Sequence, residues 1–417
     1  MLVDFVVKNF GPFKDEAILT MTAQKGSEHP ENYVETKAAG NVLTAAAVFG
    51  PNAAGKTYLV EALVHLRYMV LFPTLPNAPM LAYNPFRLSN DTKSAPVEMN
   101  IRFIAENVLY DYHLSFSGKR ILSERLFYYP NGKRAEVFTR NMDSLEFGRT
   151  VKGQPSLSKV ISPNTTCVFT AAQFNNKICK SVHNWFFKYL LIMTNPDEAG
   201  ILEIFVNRIN NDAAFKERAI NAMKIADFAI SDVQGTIKRK KVQDLSGIPV
   251  QMKGLMMAAG NEEMNETELY LIHDVGDAGL THEDKKFPIQ LESAGTVRFM
   301  KVIGPMLDTL TEGRTLVIDE FGQSLHSKLS KWIVDLFCDK RHNTGGGQLI
   351  FNTHSTHLMD QDIFRRDQIY LIEKNGKGES ELFSISDFGE RKDKVILTSY
   401  MDGKYGAVPF IEEGSNL

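Results

Sequence analysis

A glycine-rich octapeptide constrains this chain more than any other feature. It reads G-P-N-A-A-G-K-T and consists of Gly50, Pro51, Asn52, Ala53, Ala54, Gly55, Lys56 and Thr57, a full match to G-x-x-x-x-G-K-[ST]. The apolar run 41–49 predicts a buried strand before it, and leucine spacing over 58–72 predicts a helix after it. In that context loop N–H groups and a helix N-terminus hold nucleotide phosphates, with Lys56 at the β/γ-phosphates and the Thr57 hydroxyl on Mg²⁺. The alternative, a chance match, is disfavoured by this context.

A second motif ends a short apolar run. Residues 315–321 read T-L-V-I-D-E-F, which predicts a strand with two carboxylates at its tip. Asp319 is expected to hold Mg²⁺, directly or through water, and Glu320 to act as general base on the attacking water. A strand ending in solvated acids is the alternative. An adjacent Asp-Glu pair favours hydrolysis over phosphoryl transfer to a second substrate.

Two weaker motifs gain weight from their order along the chain. Residues 291–298 read L-E-S-A-G-T-V-R, with Ser293 and Gly295 at the start of a predicted helix, an anion-binding position. An ordinary N-cap is the alternative. The run F-N-T-H-S at 351–355 follows a predicted buried strand and puts His354 at its tip, where a neutral imidazole can hydrogen-bond a γ-phosphate. A surface or core histidine is the alternative.

Composition limits the function classes. The formal net charge of −3 over 417 residues excludes a general polyanion binder, so a DNA-binding role needs a local basic patch. Lys238–Lys241 is such a run, although a solvated loop is the favoured interpretation. Three scattered cysteines indicate a reducing compartment and no structural metal site. We find no signal peptide and no membrane-spanning run, and we expect a cytoplasmic protein.

The element pattern predicts nucleotide-binding segments at both ends with an insertion between them. We divide the chain into an N-terminal ATPase lobe with an antiparallel β subdomain (1–175), a helical insertion (176–250) and a C-terminal ATPase lobe (251–417). Helices are predicted at 185–193 and 213–230. We find no sustained heptad repeat and expect no long coiled-coil arm.

Together these motifs resemble the ABC-class ATPases of the SMC-like group. Segments similar to that group are its Walker A motif at 50–57, signature at 291–296, Walker B at 315–320, D-loop at 323–326, switch histidine at His354 and N-terminal N-F-x-x-F at 9–13. More narrowly, the chain is similar to short-armed prokaryotic ATPases of anti-phage defence, which include the OLD-like and abortive-infection ATPases and the ATPase subunit of PARIS-type systems. The signature departs from the family, because it reads E-S-A-G-T. Gln173 is the candidate Q-loop glutamine.

The resemblance implies an α/β fold: an ABC-type P-loop ATPase head with a mixed core sheet, an antiparallel β subdomain and a compact helical insertion. It implies a homodimer of heads, or a higher homo-oligomer, that sandwiches ATP and Mg²⁺, each site combining Lys56, Thr57, Asp319, Glu320 and His354 of one copy with Ser293 and Gly295 of the other.

Hydrolysis would then change the assembly of the heads, and a separate effector protein would respond to this change. We expect the effector to be a nuclease. A phage-encoded protein or DNA is the expected trigger, and no membrane is involved. About 60 residues follow His354, too few for a nuclease domain of ordinary size, so we expect no intrinsic nuclease. The alternatives are a DNA repair or maintenance ATPase that clamps DNA and, less favoured, a nucleotide-dependent metabolic enzyme such as a kinase.

Overall fold

A computed structural model describes residues 1–75, 78–149, 155–194, 199–225, 229–244, 257, 263–274, 279–389 and 395–408. Within these residues the strands are β1 (Leu2–Lys8), β2 (Ala17–Thr20), β3 (Tyr33–Thr36), β4 (Gly40–Leu43), β5 (Ala45–Phe49), β6 (Val97–Ala105), β7 (Val108–Phe116), β8 (Ile121–Tyr128), β9 (Ala135–Asn141), β10 (Ser144–Phe147), β11 (Leu190–Met193), β12 (Ile230–Lys241), β13 (Glu263–His273), β14 (Lys286–Pro288), β15 (Thr315–Ile318), β16 (Gln348–Asn352), β17 (Ile369–Lys374) and β18 (Ser380–Ser384).

The α-helices of the described residues are α1 (Lys56–Leu71), α2 (Cys167–Gln173), α3 (Lys177–Asn184), α4 (Ala199–Asn211), α5 (Ala213–Ile225), α6 (Ala294–Glu312), α7 (Ser327–Cys338) and α8 (Ile396–Met401). A π-helical turn, Trp185–Tyr189, follows α3. Among the described residues, no helix combines the length and the apolar character needed to cross a bilayer.

The central sheet is mixed and has the order β11-β15-β16-β5-β17-β18. Its pairs are parallel except for β17 with β18. Every residue of β5, β15 and β16 is buried, as expected for strands covered on both faces. A second, seven-stranded antiparallel sheet has the order β10-β9-β8-β7-β6-β1-β2. The buried side of α1, with Leu59, Leu63 and Leu66, joins the same hydrophobic core as Phe5 and Phe103 of this second sheet.

Two compact units divide the chain. The first comprises Met1–Thr194, Asp308–Gln323 and Ser330–Leu417, and the second comprises Asn195–Leu307 and Ser324–Leu329. The second unit holds the three-stranded sheet β12-β13-β14, and helices α4 and α5 pack against β12. The insertion therefore contains β structure besides its helices. The predicted division of the chain at 175 and 250 stays a prediction.

Two helix predictions were wrong. Trp185–Met193 was predicted as one helix, but only its first part is helical, and Leu190–Met193 is the strand β11. The reason is tertiary: β11 pairs in parallel register with β15, from Leu190 opposite Thr315 to Met193 opposite Ile318. The helix predicted over 213–230 ends at Ile225, and Ile230 begins β12.

Candidate functional site

The sheet order brings the predicted nucleotide-binding residues to one edge. Strand β16 lies between β15 and β5, and the three strands run parallel. Their carboxyl ends therefore meet, and ligands of open α/β sheets bind at that edge. The phosphate loop (Gly50–Thr57) follows β5, Asp319 and Glu320 follow β15, and His354 comes two residues after β16.

The phosphate loop is held in a conformation that needs glycine. Gly50 has a φ of +153°, and a Cβ there would overlap the carbonyl oxygen of Ile372 on β17. The loop then turns through Ala53, whose φ is +61°, and α1 begins with Gly55 as its N-cap. Ser380 of β18 supports the loop, because its hydroxyl donates to the Ala54 carbonyl at 2.5 Å. Gly55 has no side chain to cap the first N–H groups of α1, which leaves that helix end suited to phosphate oxygens.

Lys56 is folded back onto this loop. Its Nζ donates to the carbonyl oxygens of Gly50 at 2.8 Å and Pro51 at 2.9 Å, and the residue is only 7% exposed. Burial lowers the pKa of Lys56 to about 8, against the opposing pull of the Asp319 and Glu320 charges. The ammonium group is thus a buried cation beside two carboxylates, ready to exchange carbonyl partners for phosphate oxygens.

Thr57 and Asp319 form a pair of hard oxygen ligands. The Thr57 hydroxyl donates to Asp319 Oδ1 at 3.3 Å, and Asp319 is 6% exposed. Burial raises the pKa of Asp319, while hydrogen bonds from Asn352 and Thr57 act in the opposite direction. A hydroxyl and a carboxylate at this separation fit Mg²⁺, which prefers oxygen ligands and takes few from the protein.

Asn352, the last residue of β16, belongs to the site and was missed in the sequence. Its side-chain Nδ2 donates to Asp319 Oδ1, and its Oδ1 accepts from the Glu320 N–H at 2.7 Å. Its main-chain carbonyl accepts from the Phe321 N–H at 2.9 Å. The available signal was an amide side chain at the end of an otherwise apolar run, since buried polar groups need partners.

Glu320 and His354 are both exposed at this edge. Glu320 has a left-handed backbone, with a φ of +53°. Partial desolvation and then the charge of Lys56 lower the pKa of His354, and the charge of Glu320 opposes them. The imidazole is therefore neutral at neutral pH, the form the proposed γ-phosphate contact needs. Gln173 ends α2 with an exposed side chain, and its assignment as the Q-loop glutamine stays a prediction.

The signature segment (residues 291–298) belongs to the second compact unit. The Ser293 hydroxyl accepts from the Thr296 N–H at 3.1 Å, so this serine is the N-cap of α6. A Cβ at Gly295 would lie 2.9 Å from the carbonyl oxygen of Ser324, closer than side chains ordinarily approach. Just before the serine, Glu292 Oε1 lies 2.8 Å from His273 Nε2 at the end of β13. Ser293 itself remains exposed.

The basic run Lys238–Lys241 was interpreted as a solvated loop. Lys238, Arg239 and Lys241 are exposed, but the prediction of a loop was wrong. The run forms the end of β12, paired antiparallel with β13. Acidic side chains of β13 pair with its cations: Lys238 Nζ lies 2.8 Å from Glu268 and Arg239 Nε lies 2.8 Å from Glu263, and Lys240 pairs with Glu266. Opposite charges on the two strands therefore face one another.

Comparison with known families identifies the class of protein that this fold and site define. Residues 45–360 match the family described as "AAA domain, putative AbiEii toxin, Type IV TA system". The match covers most of the chain, and the chain belongs to this family. The protein is a P-loop ATPase of this AAA family that hydrolyses ATP. The predicted fold class, with its mixed core sheet and antiparallel β subdomain, is confirmed.

The solved structures to which the chain is similar include SMC head domains and a recombination mediator protein. The chain is similar to the SMC head domain from Thermotoga maritima (11% identity, TM-score 0.41, covering 92% of this chain and 98% of that one). It is also similar to an SMC head bound to the C-terminal winged-helix domain of ScpA (12%, 0.41, 92% and 97%) and to the recombination mediator RecF with ATP (14%, 0.35, 92% and 99%). No curated protein matches the chain.

Proposed function

We propose that this ATPase is the regulatory subunit of an anti-phage defence complex, similar to the ATPase of PARIS-type systems. ATP-dependent pairing of two heads would sense a phage trigger and hold or release a separate toxic effector. The family description, which includes a toxin–antitoxin system, supports a defence role. The observation that carries the proposal is the division of the site residues: the phosphate loop, Asp319 and Glu320 belong to one compact unit, whereas Ser293 caps an exposed helix start in the other.

The residues at the sheet edge suit in-line hydrolysis. Lys56 would contact the β/γ-phosphates, Glu320 would orient and polarise the attacking water, and neutral His354 would donate a hydrogen bond to the γ-phosphate. Thr57 and Asp319 would hold Mg²⁺, which neutralises charge on the phosphate oxygens. The side chain of Glu320 is exposed to water, and its backbone N–H donates to Asn352 Oδ1 at 2.7 Å.

The proposed pairing of two heads depends on which residues contact the γ-phosphate. If Ser293 and Gly295 of a second copy contact it, the closed homodimer binds ATP more tightly than the open one, and hydrolysis removes this difference. A higher homo-oligomer can be built from the same contact. The proposed partners are a toxic effector, expected to be a nuclease, and a phage-encoded trigger protein or DNA, in the cytoplasm and without a membrane.

A DNA repair or maintenance ATPase that clamps DNA is the second candidate. The resemblance of the sequence motifs to those of SMC-like ATPases favours this second candidate. The cross-strand pairing of Lys238, Arg239 and Lys240 with carboxylates of β13 weighs against the basic run as its DNA contact, because paired cations have less charge to offer phosphates.

Two measurements separate the candidates. ATP turnover is measured with and without duplex DNA, with Glu320→Gln as the background control. Phage plating efficiency is measured on cells that carry the gene with its native neighbours, as wild type, Lys56→Ala and Glu320→Gln. The defence proposal expects DNA-independent turnover and protection that both substitutions remove. If duplex DNA stimulates turnover several-fold and the two substitutions leave phage plating efficiency unchanged, the DNA-clamping ATPase replaces the defence proposal.

A further inference from the structure

The amide of Asn352 joins the two acidic residues of the site. Asn352 is 2% exposed at the end of the fully buried strand β16. One end of its amide donates to the Asp319 carboxylate, and the other end accepts from the Glu320 backbone N–H at 2.7 Å. The two ends of one side chain thus bind two consecutive residues at the tip of another strand, 33 and 32 positions away in sequence.

Each of these two bonds acts on a different property of the site. Asp319 is buried, so the orientation of its carboxylate depends on the donors around it, which are the Thr57 hydroxyl and the Asn352 amide. Glu320 has a φ of +53°, which side-chain-bearing residues adopt rarely and keep only where neighbouring groups hold them. The Oδ1 of Asn352 binds the N–H of this residue, and the Asn352 carbonyl binds the N–H of Phe321, so the turn is held from both sides.

We propose that Asn352 is a positioning residue of the ATPase centre. Its Nδ2 turns the Asp319 carboxylate towards Thr57, where the metal would be held. Its Oδ1 fixes the left-handed turn that directs the Glu320 side chain towards water. This inference rests on the roles proposed above for Asp319 and Glu320, and it is independent of the defence proposal.

Asn343 provides a matched control for a purely structural role. It is also a buried asparagine of the first compact unit that uses both ends of its amide. Its Nδ2 donates to the carbonyls of Phe337 and Gly347, each at 2.8 Å, and its Oδ1 accepts from the Gly347 N–H at 2.6 Å. The partners of its amide are backbone groups of the last turn of α7 and of Gly347, just before β16. Replacing it removes a comparable set of bonds without touching either carboxylate.

The test compares Asn352→Leu, Asn352→Ser and Asn343→Leu with wild type. Leucine is close to asparagine in size and removes both amide functions, and the smaller, polar serine serves if the leucine variant does not fold. Three quantities are measured: the melting temperature, ATP turnover, and the affinity for a non-hydrolysable ATP analogue with Mg²⁺ and with EDTA. Asp319→Asn and Glu320→Gln are included to test the roles on which the inference rests.

For the Asn352 variants we expect analogue affinity in EDTA within about twofold of wild type, loss of most of the gain that Mg²⁺ gives, and turnover lower by roughly 10–100-fold, the usual effect of losing a residue that orients a metal ligand. Asn343→Leu is expected to lower the melting temperature similarly and keep both the Mg²⁺ gain and the turnover. Asn352 variants that behave like Asn343→Leu, while Asp319→Asn and Glu320→Gln lose turnover, would overturn the inference alone. Full turnover in those two carboxylate variants would overturn the underlying roles as well.

Discussion

The phosphate-binding edge and the signature segment are built in opposite ways. At the edge, Lys56, Asp319 and Asn352 are buried. Asn352 is bonded to Asp319 and Glu320 at the tip of a strand distant in sequence, and Lys56 is bonded to two carbonyls of the phosphate loop. In the signature segment, Ser293 is exposed and is held by a cap three residues away and by the neighbouring pair of Glu292 with His273. The edge is therefore preorganised by the core sheet, whereas the signature rests on local contacts. We therefore expect substitutions at the edge to lower turnover more than substitutions in the signature.

The largest effect is expected from Lys56→Met. The substitution removes the cation that we propose contacts the β/γ-phosphates, so turnover should fall by at least about 10²–10³-fold, as when a single preorganised donor is lost. Affinity for ATP should fall with it, in contrast to Glu320→Gln, which should keep binding. Lys331→Met is the control, since Lys331 pairs with Asp360 on the surface at 2.9 Å. Near-wild-type nucleotide affinity in Lys56→Met, measured by calorimetry, would contradict the assignment of this edge.

The next effect tests whether the signature acts on a second copy. Aspartate caps helices as well as serine does, so Ser293→Asp should keep the melting temperature, while its charge repels a γ-phosphate. We expect turnover to fall about 10²-fold, the size of effect seen for a lost transition-state donor, with affinity for ATP on single heads unchanged.

Asn176→Ala separates cap loss from phosphate contact. Asn176 caps α3 through its bond from the Cys179 N–H at 3.1 Å, so this variant should lose stability and keep turnover. If Ser293→Asp hydrolyses ATP normally and still forms ATP-dependent dimers by light scattering, the sandwich arrangement is wrong.

A smaller effect follows from the pKa of Lys56. Burial lowers this pKa to about 8 in the free protein, and bound phosphates would raise it. Nucleotide affinity should thus be level below pH 8 and weaken above it, by up to about tenfold per pH unit. Calorimetry in buffers of different ionisation enthalpy should show proton uptake on binding near pH 9. Constant affinity up to pH 9.5 would rule out a lysine with this pKa.

The same shift makes a statement about stability, with a definite sign. Because the pKa of Lys56 is lower in the folded protein, the unfolded chain binds the proton more tightly between pH 8 and the ordinary lysine range. The free energy of unfolding should therefore rise with pH across that window. The destabilisation caused by burying the charged form of Lys56 is fully present below pH 8. Lys56→Met should lose this part of the pH dependence in chemical denaturation.

The smallest effect concerns the pair behind the signature. His273→Leu removes the contact with Glu292 and should cost about 0.5–1.5 kcal/mol of stability, the usual net value of a hydrogen bond. Turnover should change several-fold, because Ser293 directly follows Glu292. His113→Leu is the matched control: His113 pairs with Asp111 at 2.7 Å and has an edge-on aromatic neighbour, as His273 does. Equal turnover in the two variants would show that the His273–Glu292 contact does not affect the function of the signature segment.

The sequence predicted those parts of the molecule that are encoded locally. The phosphate loop, the strand before it, the helix after it and the acidic strand tip could be predicted because motif and periodicity lie within a few residues. Their meeting at one edge follows from the parallel order β15-β16-β5, which short buried runs suggest without fixing.

What the sequence could not show depends on partners distant along the chain. The sequence places Asn352 at the end of a strand, but its role in the site is visible only from its bonds to Asp319 and Glu320 in the structure. The apolar run Leu190–Met193 is a strand because it pairs with β15. The basic run is a strand because it pairs with β13, whose carboxylates face its cations. In each case a tertiary contact outweighed local propensity.

The left-handed backbone of Glu320 has a consequence for protein engineering. A residue with a side chain in that conformation costs roughly 1–3 kcal/mol, a cost that glycine does not bear. Selection for heat resistance alone would therefore favour glycine at this position, and the surviving proteins would bind ATP without hydrolysing it. Stabilising this enzyme usefully means searching elsewhere and screening turnover alongside melting temperature from the first round.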